Sequence, residues 1–169
     1  MTTLRPHAMP SGLSAVGLRA ANGLPIVVGT TLAVAYLLAP PMGADLSAQI
    51  AWAEVAERHW PALLDLRWYG GVNPLGYSVL APPLMALLGV RLATAVGYLA
   101  GVVIVTALLQ RVPVRRPVAG GVVAALGLAG NLASSRTTFV LGLAIALGAL
   151  LAVAYHRRWL AVLLAVLTA

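Results

Sequence analysis

The chain contains only four carboxylate side chains, and all of them lie between residues 45 and 65. They are Asp45, Glu54, Glu57 and Asp65. At a functional site a carboxylate can accept a proton as a general base, hold a divalent cation or pair with an arginine. Because the other residues supply no carboxylate side chain, chemistry that needs one is expected in this segment.

Asp45 has two interpretations. It follows the sequence Pro-Pro-Met-Gly-Ala and comes directly before a segment with helical periodicity. An aspartate in that place is typical of a helix N-cap, where its side chain accepts a hydrogen bond from the first turn. An ionisable group at the boundary of a membrane span is also a candidate functional residue. The sequence favours neither interpretation, and one carboxylate can serve both purposes.

The segment 64–78, LDLRWYGGVNPLGYS, holds a second group of polar and aromatic residues. Asp65 and Arg67 point the same way in an extended segment, either as a local ion pair or as a phosphate-binding arginine oriented by the aspartate. Trp68 and Tyr69 suit stacking on a sugar ring or a place in the lipid headgroup layer. Gly70-Gly71 is a turn former. The candidates for headgroup binding here are therefore Asp65, Arg67, Trp68, Tyr69, Gly70 and Gly71.

Other polar residues have simpler interpretations. Glu54 and Glu57 are expected on a solvated helix face, with Glu54 and Arg58 at the favourable i,i+4 spacing. His59 is interpreted as an interfacial residue, since no spacing here requires a metal. Arg136 follows two serines ahead of an apolar run, and it is either an interfacial anchor or a further cation for an anionic lipid headgroup.

The composition predicts an integral membrane protein. The 169 residues are 61% hydrophobic and 9% charged, which leaves too little charge for a water-facing surface. There is no cysteine, hence no disulfide framework and no thiolate metal site. The formal net charge of +7 is typical of arginines that fix membrane topology, and we do not expect nucleic acid as a partner.

Hydrophobic runs predict an all-α, polytopic transmembrane helix bundle with about four full spans and an incomplete fifth. The spans are residues 24–42, 92–109, 118–133 and 139–155, and residues 159–169 begin the fifth. Residues 1–23 form an N-terminal segment before the transmembrane domain, 24–169. The loop 43–91 contains an amphipathic helix over 44–60 and a re-entrant or interfacial helix over 75–89. A cleaved signal peptide competes for the first run, but further spans follow it.

The distribution of arginine assigns the sides of the membrane. If residues 75–89 do not span, seven arginines lie inside and four outside, and the opposite choice reverses the two numbers. The inside group is Arg5, Arg19, Arg111, Arg115, Arg116, Arg157 and Arg158, and the outside group is Arg58, Arg67, Arg91 and Arg136. We therefore expect a multi-pass plasma-membrane protein with a cytoplasmic N-terminus and with all four acids in an extracytoplasmic loop.

The last apolar run has a further implication. Residues 159–169 would extend about 16 Å as a helix, which is too short to cross a bilayer. We expect the chain to be the N-terminal part of a longer protein. The alternative is a short terminal helix against the bundle.

Three stretches carry a resemblance to a known family. They are PPMGADLSAQIAWAE, DLRWYGGVNPLGYSVLAPPLMALLG and SSRTTFVLGLAIALGAL. Over roughly residues 24–155, the chain resembles the N-terminal part of actinobacterial multi-pass membrane proteins of the GT-C glycosyltransferase type. Many such families have paired acids where Asp45 stands without an acidic neighbour.

The resemblance implies transfer of a sugar from a polyprenyl-phosphate donor to an envelope glycan or glycolipid acceptor on the extracytoplasmic side of the membrane. Asp45 matches the acidic residue of the first outer loop, which acts in these enzymes as a general base or as a metal ligand. A divalent cation is therefore one cofactor that the resemblance allows, and Arg67 would stabilise the departing phosphate. The remaining expected partners are the lipid bilayer and either further C-terminal transmembrane helices or a partner membrane subunit.

Two functions of other classes remain open from the sequence. A transporter or flippase-like protein would bind a lipid headgroup without chemistry, and the proline-interrupted segment 75–89 suits that function too. A non-catalytic membrane assembly subunit is the second alternative, which the short chain favours.

Overall fold

The computed structural model describes residues 15–59 and 78–168, with side chains from residue 23 onwards. Over these residues the chain forms seven helices and no strand. The helices are α1 (Ala15–Leu38), α2 (Leu46–Arg58), α3 (Ala81–Leu88), α4 (Val90–Arg111), α5 (Pro117–Ser134), α6 (Thr137–Ala154) and α7 (Arg158–Val166). The expectation of an all-helical chain is confirmed for the described residues.

Three of these helices are long and apolar enough to cross a membrane: α4, α5 and α6. The apolar part of α1, Gly23–Leu38, is shorter, although the whole helix has 24 residues and a length of about 36 Å. It ends shortly before Pro40-Pro41, because the residue before a proline disfavours helical backbone. The helices indicate a lipid bilayer environment, whereas the number of spans and their orientation stay predictions.

Helix α4 is the centre of the bundle and packs against α1, α5 and α6. Its Tyr98 and Val102 are fully buried. The Tyr98 hydroxyl donates a hydrogen bond of 2.9 Å to the backbone carbonyl of Ala125 in α5, so this buried polar group is satisfied. The cluster around them draws on all four helices: Ala33, Tyr36, Ala95, Tyr98, Val102, Ala125, Leu132 and Val140.

Small residues let α4 approach α6. A Cβ at Gly97 would lie 2.9 Å from Leu141 Cδ2 and 3.2 Å from Val140 Cγ1, both in α6. Gly101, one turn further, faces Leu128 of α5 at 3.5 Å. The GxxxG spacing of these two glycines is thus used for helix packing, the ordinary role of this motif in membrane helices.

The two short helices α2 and α3 pack on each other and on the start of α4. Their shared core contains Trp52, Ala53, Ala81, Met85, Val90 and Ala93. With 13 and 8 residues, α2 and α3 are about 20 and 12 Å long, shorter than the roughly 30 Å hydrocarbon core of a bilayer. Pro82-Pro83 lies in the first turn of α3, where the missing N–H groups remove no helical hydrogen bond.

The helix bundle therefore has two distinct ends, which we name after their charged residues. The aspartate end comprises α2, α3, the C-terminal ends of α1 and α5 and the N-terminal ends of α4 and α6. The arginine end comprises the C-terminal ends of α4 and α6, the N-terminal ends of α5 and α7 and the part of α1 around Pro25. At the arginine end, Pro25 packs against Gly121, and the Arg111 guanidinium lies 5.4 Å from the centre of the Tyr155 ring.

Candidate functional site

Asp45 lies at the N-cap position of α2, but its carboxylate makes no capping hydrogen bond. Only its backbone carbonyl takes part in the helix, accepting from the Gln49 N–H at 3.0 Å. The carboxylate instead lies with Oδ2 3.3 Å from Nε of Arg136. The capping hydrogen bond that the N-cap interpretation predicts is therefore absent. The Asp45 side chain is directed to a cation on another part of the chain and not to its own helix.

Arg136 reaches Asp45 because the connection between α5 and α6 crosses the loop before α2. The Asp45 N–H donates to the Ser134 carbonyl at 3.2 Å, and the Ser135 hydroxyl donates to the Met42 carbonyl at 2.6 Å. Ser135 itself has a left-handed backbone with φ +54 and is buried. These two hydrogen bonds fix the backbone on both sides of the ion pair.

Gly43 permits this crossing. Its φ of +122 is unfavourable for residues with a side chain, and a Cβ there would lie 2.5 Å from Ser135 Oγ and 2.7 Å from the Ser134 carbonyl carbon. The close approach of two backbone segments thus requires glycine at this position. We call the contact of residues 42–45 with residues 134–136 the crossing.

A second arginine, Arg91, holds the end of α1 next to the crossing. Arg91, in the first turn of α4, donates to the backbone carbonyls of Tyr36 and Ala39, the latter at 2.6 Å, and lies 5.1 Å from the Tyr36 ring centre. The Tyr36 hydroxyl is in turn 3.4 Å from Ser135 Oγ. A guanidinium at the C-terminal end of a helix stabilises its unpaired carbonyls. Arg91 therefore links α1, α4 and the crossing.

Helix α2 has its own attachment to α6. Gln49 is buried, and its side-chain carbonyl accepts a hydrogen bond of 2.9 Å from the Thr138 hydroxyl. Close by, the Thr94 and Thr137 hydroxyls are 2.6 Å apart and join α4 to α6. The aspartate end is thus connected by specific polar contacts as well as by its apolar core.

The ion pair itself is open to solvent. The side chains of Asp45 and Arg136 are 43% and 59% exposed. Such a pair is screened and contributes little to stability, roughly 0–1 kcal/mol. Its chemical value is different: a carboxylate that can accept a proton and a guanidinium that can bind phosphate lie side by side and are accessible to a ligand.

The predicted site residues have unequal outcomes. Asp45 and Arg136, selected on separate grounds, are brought together. The six candidates from the second half of the loop lie outside the described residues: Asp65, Arg67, Trp68, Tyr69, Gly70 and Gly71. The expected Glu54–Arg58 pair is present at 3.9 Å, with both side chains exposed. The sequence interpretation missed the contact of Arg91 with α1. The one signal for it was a cation directly after an apolar segment ending in Gly89-Val90.

The described residues do not fit a divalent cation. Within residues 15–59 and 78–168, no three His, Asp or Glu side chains gather into a group. Among the described residues, the charged group that pairs with Asp45 is the guanidinium of Arg136, which repels a dication. Asp45 and Arg136 are therefore the described residues that can carry the chemistry of this site.

Comparison with known proteins does not identify a family for the chain. Comparisons of the chain with protein-family models, with curated proteins and with solved structures gave no match.

Proposed function

We propose that the chain belongs to a GT-C-like membrane glycosyltransferase, which transfers a sugar from a polyprenyl-phosphate donor to an envelope glycan or glycolipid acceptor on the extracytoplasmic side of the membrane. The observation that carries the proposal is the accessible pair of Asp45 and Arg136. The arginine distribution supports an extracytoplasmic position for this pair, since Arg111, Arg115, Arg116, Arg157 and Arg158 all belong to the other end.

In this proposal Arg136 binds the phosphate of the donor. A phosphate presents several anionic oxygens to the guanidinium, and bidentate guanidinium–phosphate hydrogen bonds are among the strong ones in proteins. Because the existing pair with Asp45 is exposed and weak, the phosphate can take the place of the carboxylate. Donor binding then leaves the Asp45 carboxylate free to act as a base.

Asp45 accepts the proton of the acceptor hydroxyl as its oxygen attacks the anomeric carbon of the sugar. The new bond joins that oxygen to the anomeric carbon. The bond from the anomeric carbon to the phosphate oxygen breaks, and its electron pair remains on the phosphate. Arg136 stabilises the charge that develops on this leaving group. Arg67 keeps its predicted role beside the phosphate, although it lies outside the described residues.

The test is Asp45→Asn in the chromosomal gene of the native host, compared with Glu54→Gln. Both variants remove one carboxylate from the same part of the chain, but Glu54 belongs to an exposed pair on the surface of α2. We expect Asp45→Asn to slow the synthesis of one envelope glycan or glycolipid by about 10²–10⁴-fold. Glu54→Gln should leave the glycan profile unchanged. A normal profile in a host whose Asp45→Asn protein is folded and abundant would refute the role as general base.

Binding without chemistry is the second candidate, and the exchange of ion-pair partners favours it equally. Binding of polyprenyl phosphate by the purified protein, together with the glycan profile, separates the two functions. For the enzyme, Asp45→Asn loses the product but retains binding, and Arg136→Gln loses both. For a headgroup-binding protein, the same two variants affect binding in the same way, while deletion of the gene removes no glycosylated product.

A further inference from the structure

A groove at the arginine end has no place in the proposed transfer reaction. It has a volume of about 600 Å³ and lies between α1 and the first turns of α5. Its lining residues are Leu24, Arg116, Pro117, Val118, Ala119, Val122 and Val123. Only one of these side chains is charged, and the others are apolar. The volume is within the range of about 300–1,000 Å³ that small-molecule sites have.

The groove is open along the side of the bundle and charged at one end. Leu24 and Val123 are 49% and 69% exposed, so the apolar walls face outward. Arg116 directly precedes α5 and is exposed; it borders the groove through its carbon atoms, so its guanidinium lies beside the apolar lining and not within it. Below it, Pro25 packs against Gly121 and closes the space between the two helices. An apolar channel with a cation at its mouth matches an amphiphile with an acyl chain and an anionic headgroup.

The surrounding charge strengthens this match. Arg115 adjoins Arg116, and both are exposed and make no ion pair with another described residue. Arg111, Arg157 and Arg158 lie at the same end. The described carboxylates, in contrast, all belong to the aspartate end: Asp45, Glu54 and Glu57. Within the described part of the chain, the positive charge around the groove is thus not neutralised.

We propose that this groove binds one anionic phospholipid, with an acyl chain along Leu24, Val122 and Val123 and the phosphate at Arg116. The phosphate accepts hydrogen bonds from the Arg116 guanidinium, and the neighbouring Arg115 adds attraction. Basic pockets between transmembrane helices on the cytoplasmic side are suited to such headgroups. The site is separate from the Asp45–Arg136 pair, and it does not depend on the proposed transferase activity.

The test is lipid binding to the purified full chain, measured by native mass spectrometry during titration with phosphatidylglycerol or phosphatidylcholine. Arg116→Gln removes the headgroup contact, and Arg58→Gln is its control, since it makes the same change at the aspartate end. We expect phosphatidylglycerol to bind in preference to phosphatidylcholine. We also expect Arg116→Gln to weaken phosphatidylglycerol binding about fivefold or more, and Arg58→Gln to leave it unchanged.

A second pair of variants tests the acyl-chain channel. Ala119→Phe fills the groove without changing the charge, and Ala133→Phe makes the same change at an exposed position near the other end of α5. Ala119→Phe should abolish the one-to-one phosphatidylglycerol adduct, whereas Ala133→Phe should retain it. Inorganic phosphate in excess should not displace the lipid.

Three results would overturn the proposal. Equal binding of the two lipids would show that the groove does not recognise an anionic headgroup. Equal effects of Arg116→Gln and Arg58→Gln would show that the lipid is bound by general charge attraction and not by a specific contact with Arg116. Unchanged binding in Ala119→Phe, or displacement by inorganic phosphate, would show that no acyl chain occupies the groove.

Discussion

The two ends of the bundle are built in different ways. At the aspartate end, hydrogen bonds and charges join segments that are far apart in sequence: Asp45 with Arg136, Ser135 with Met42 and Arg91 with α1. At the arginine end, the described contacts are mainly apolar, such as Pro25 against Gly121, and the arginines lack carboxylate partners among the described residues. One end therefore has a specified geometry, and the other carries unneutralised positive charge.

This difference bears on where function is expected. Polar groups that must be held in a defined arrangement need supporting contacts, and the aspartate end supplies them around the Asp45–Arg136 pair. The arginine end needs no such arrangement, because topology and attraction to anionic lipid depend on charge density more than on geometry. Substitutions at the two ends should thus differ in their cost to stability.

The largest effect is expected at the crossing. Gly43→Ala introduces a Cβ that would overlap Ser135 and Ser134 at a backbone with φ +122, and we expect a loss of about 2–4 kcal/mol in the free energy of unfolding. Chemical unfolding of the protein in detergent, followed by circular dichroism, measures it. Gly89→Ala is the matched control, because φ is +79 there and nothing lies within 4 Å of the new Cβ. Equal losses in both variants would mean that the overlap with Ser135 contributes nothing.

The next effect concerns Arg91. Arg91→Gln removes the charged donor to the Tyr36 and Ala39 carbonyls, and we expect a loss of about 1.5–3 kcal/mol in the same measurement. Arg91→Lys should recover only part of the loss, since an ammonium group does not reproduce a planar guanidinium that donates and stacks. Full recovery by lysine would show that charge alone fixes the end of α1.

A smaller effect is expected for the ion pair. A double-mutant cycle with Asp45→Asn and Arg136→Gln should give a coupling of only about 0.2–1 kcal/mol, because both side chains are about half exposed. The coupling should fall as ionic strength rises. A coupling above about 2 kcal/mol would contradict an open pair that a phosphate can displace.

The smallest effect is expected at the arginine end. Arg157→Gln changes an exposed side chain that makes no ion pair with a described residue and has Arg158 as its neighbour. Its free energy of unfolding should stay within about 0.5 kcal/mol of the unsubstituted protein. A loss comparable to that of Arg91→Gln would erase the distinction between the two ends.

Much of the helical architecture was accessible from the sequence, because long apolar runs have few alternatives in a membrane. Asp45 and Arg136 were also selected from their sequence contexts. Their pairing was not predicted, since they are far apart in sequence, and the packing of α5 on α1 and of α6 on α4 brings them together.

The supporting contacts were harder to anticipate. Gly43 carries a recognisable signal, a glycine just after two prolines, but Ser135 adopts its left-handed backbone without any sequence signature. The clamp of Arg91 on α1 is a tertiary contact across 52 residues. A single sequence contains the residues of such contacts but no record of which ones meet.

The orientation of the two ends across the membrane is the most direct test, because the proposed site and the proposed lipid groove both depend on it. The chain has no cysteine, so single cysteines are specific probes. Ser47→Cys places one on α2 at the aspartate end, and Val114→Cys places one between α4 and α5, both at exposed positions. In intact cells, a membrane-impermeant maleimide should label Ser47→Cys, and Val114→Cys should react only after permeabilisation. Labelling of Val114→Cys with protection of Ser47→Cys would contradict an extracytoplasmic Asp45–Arg136 site.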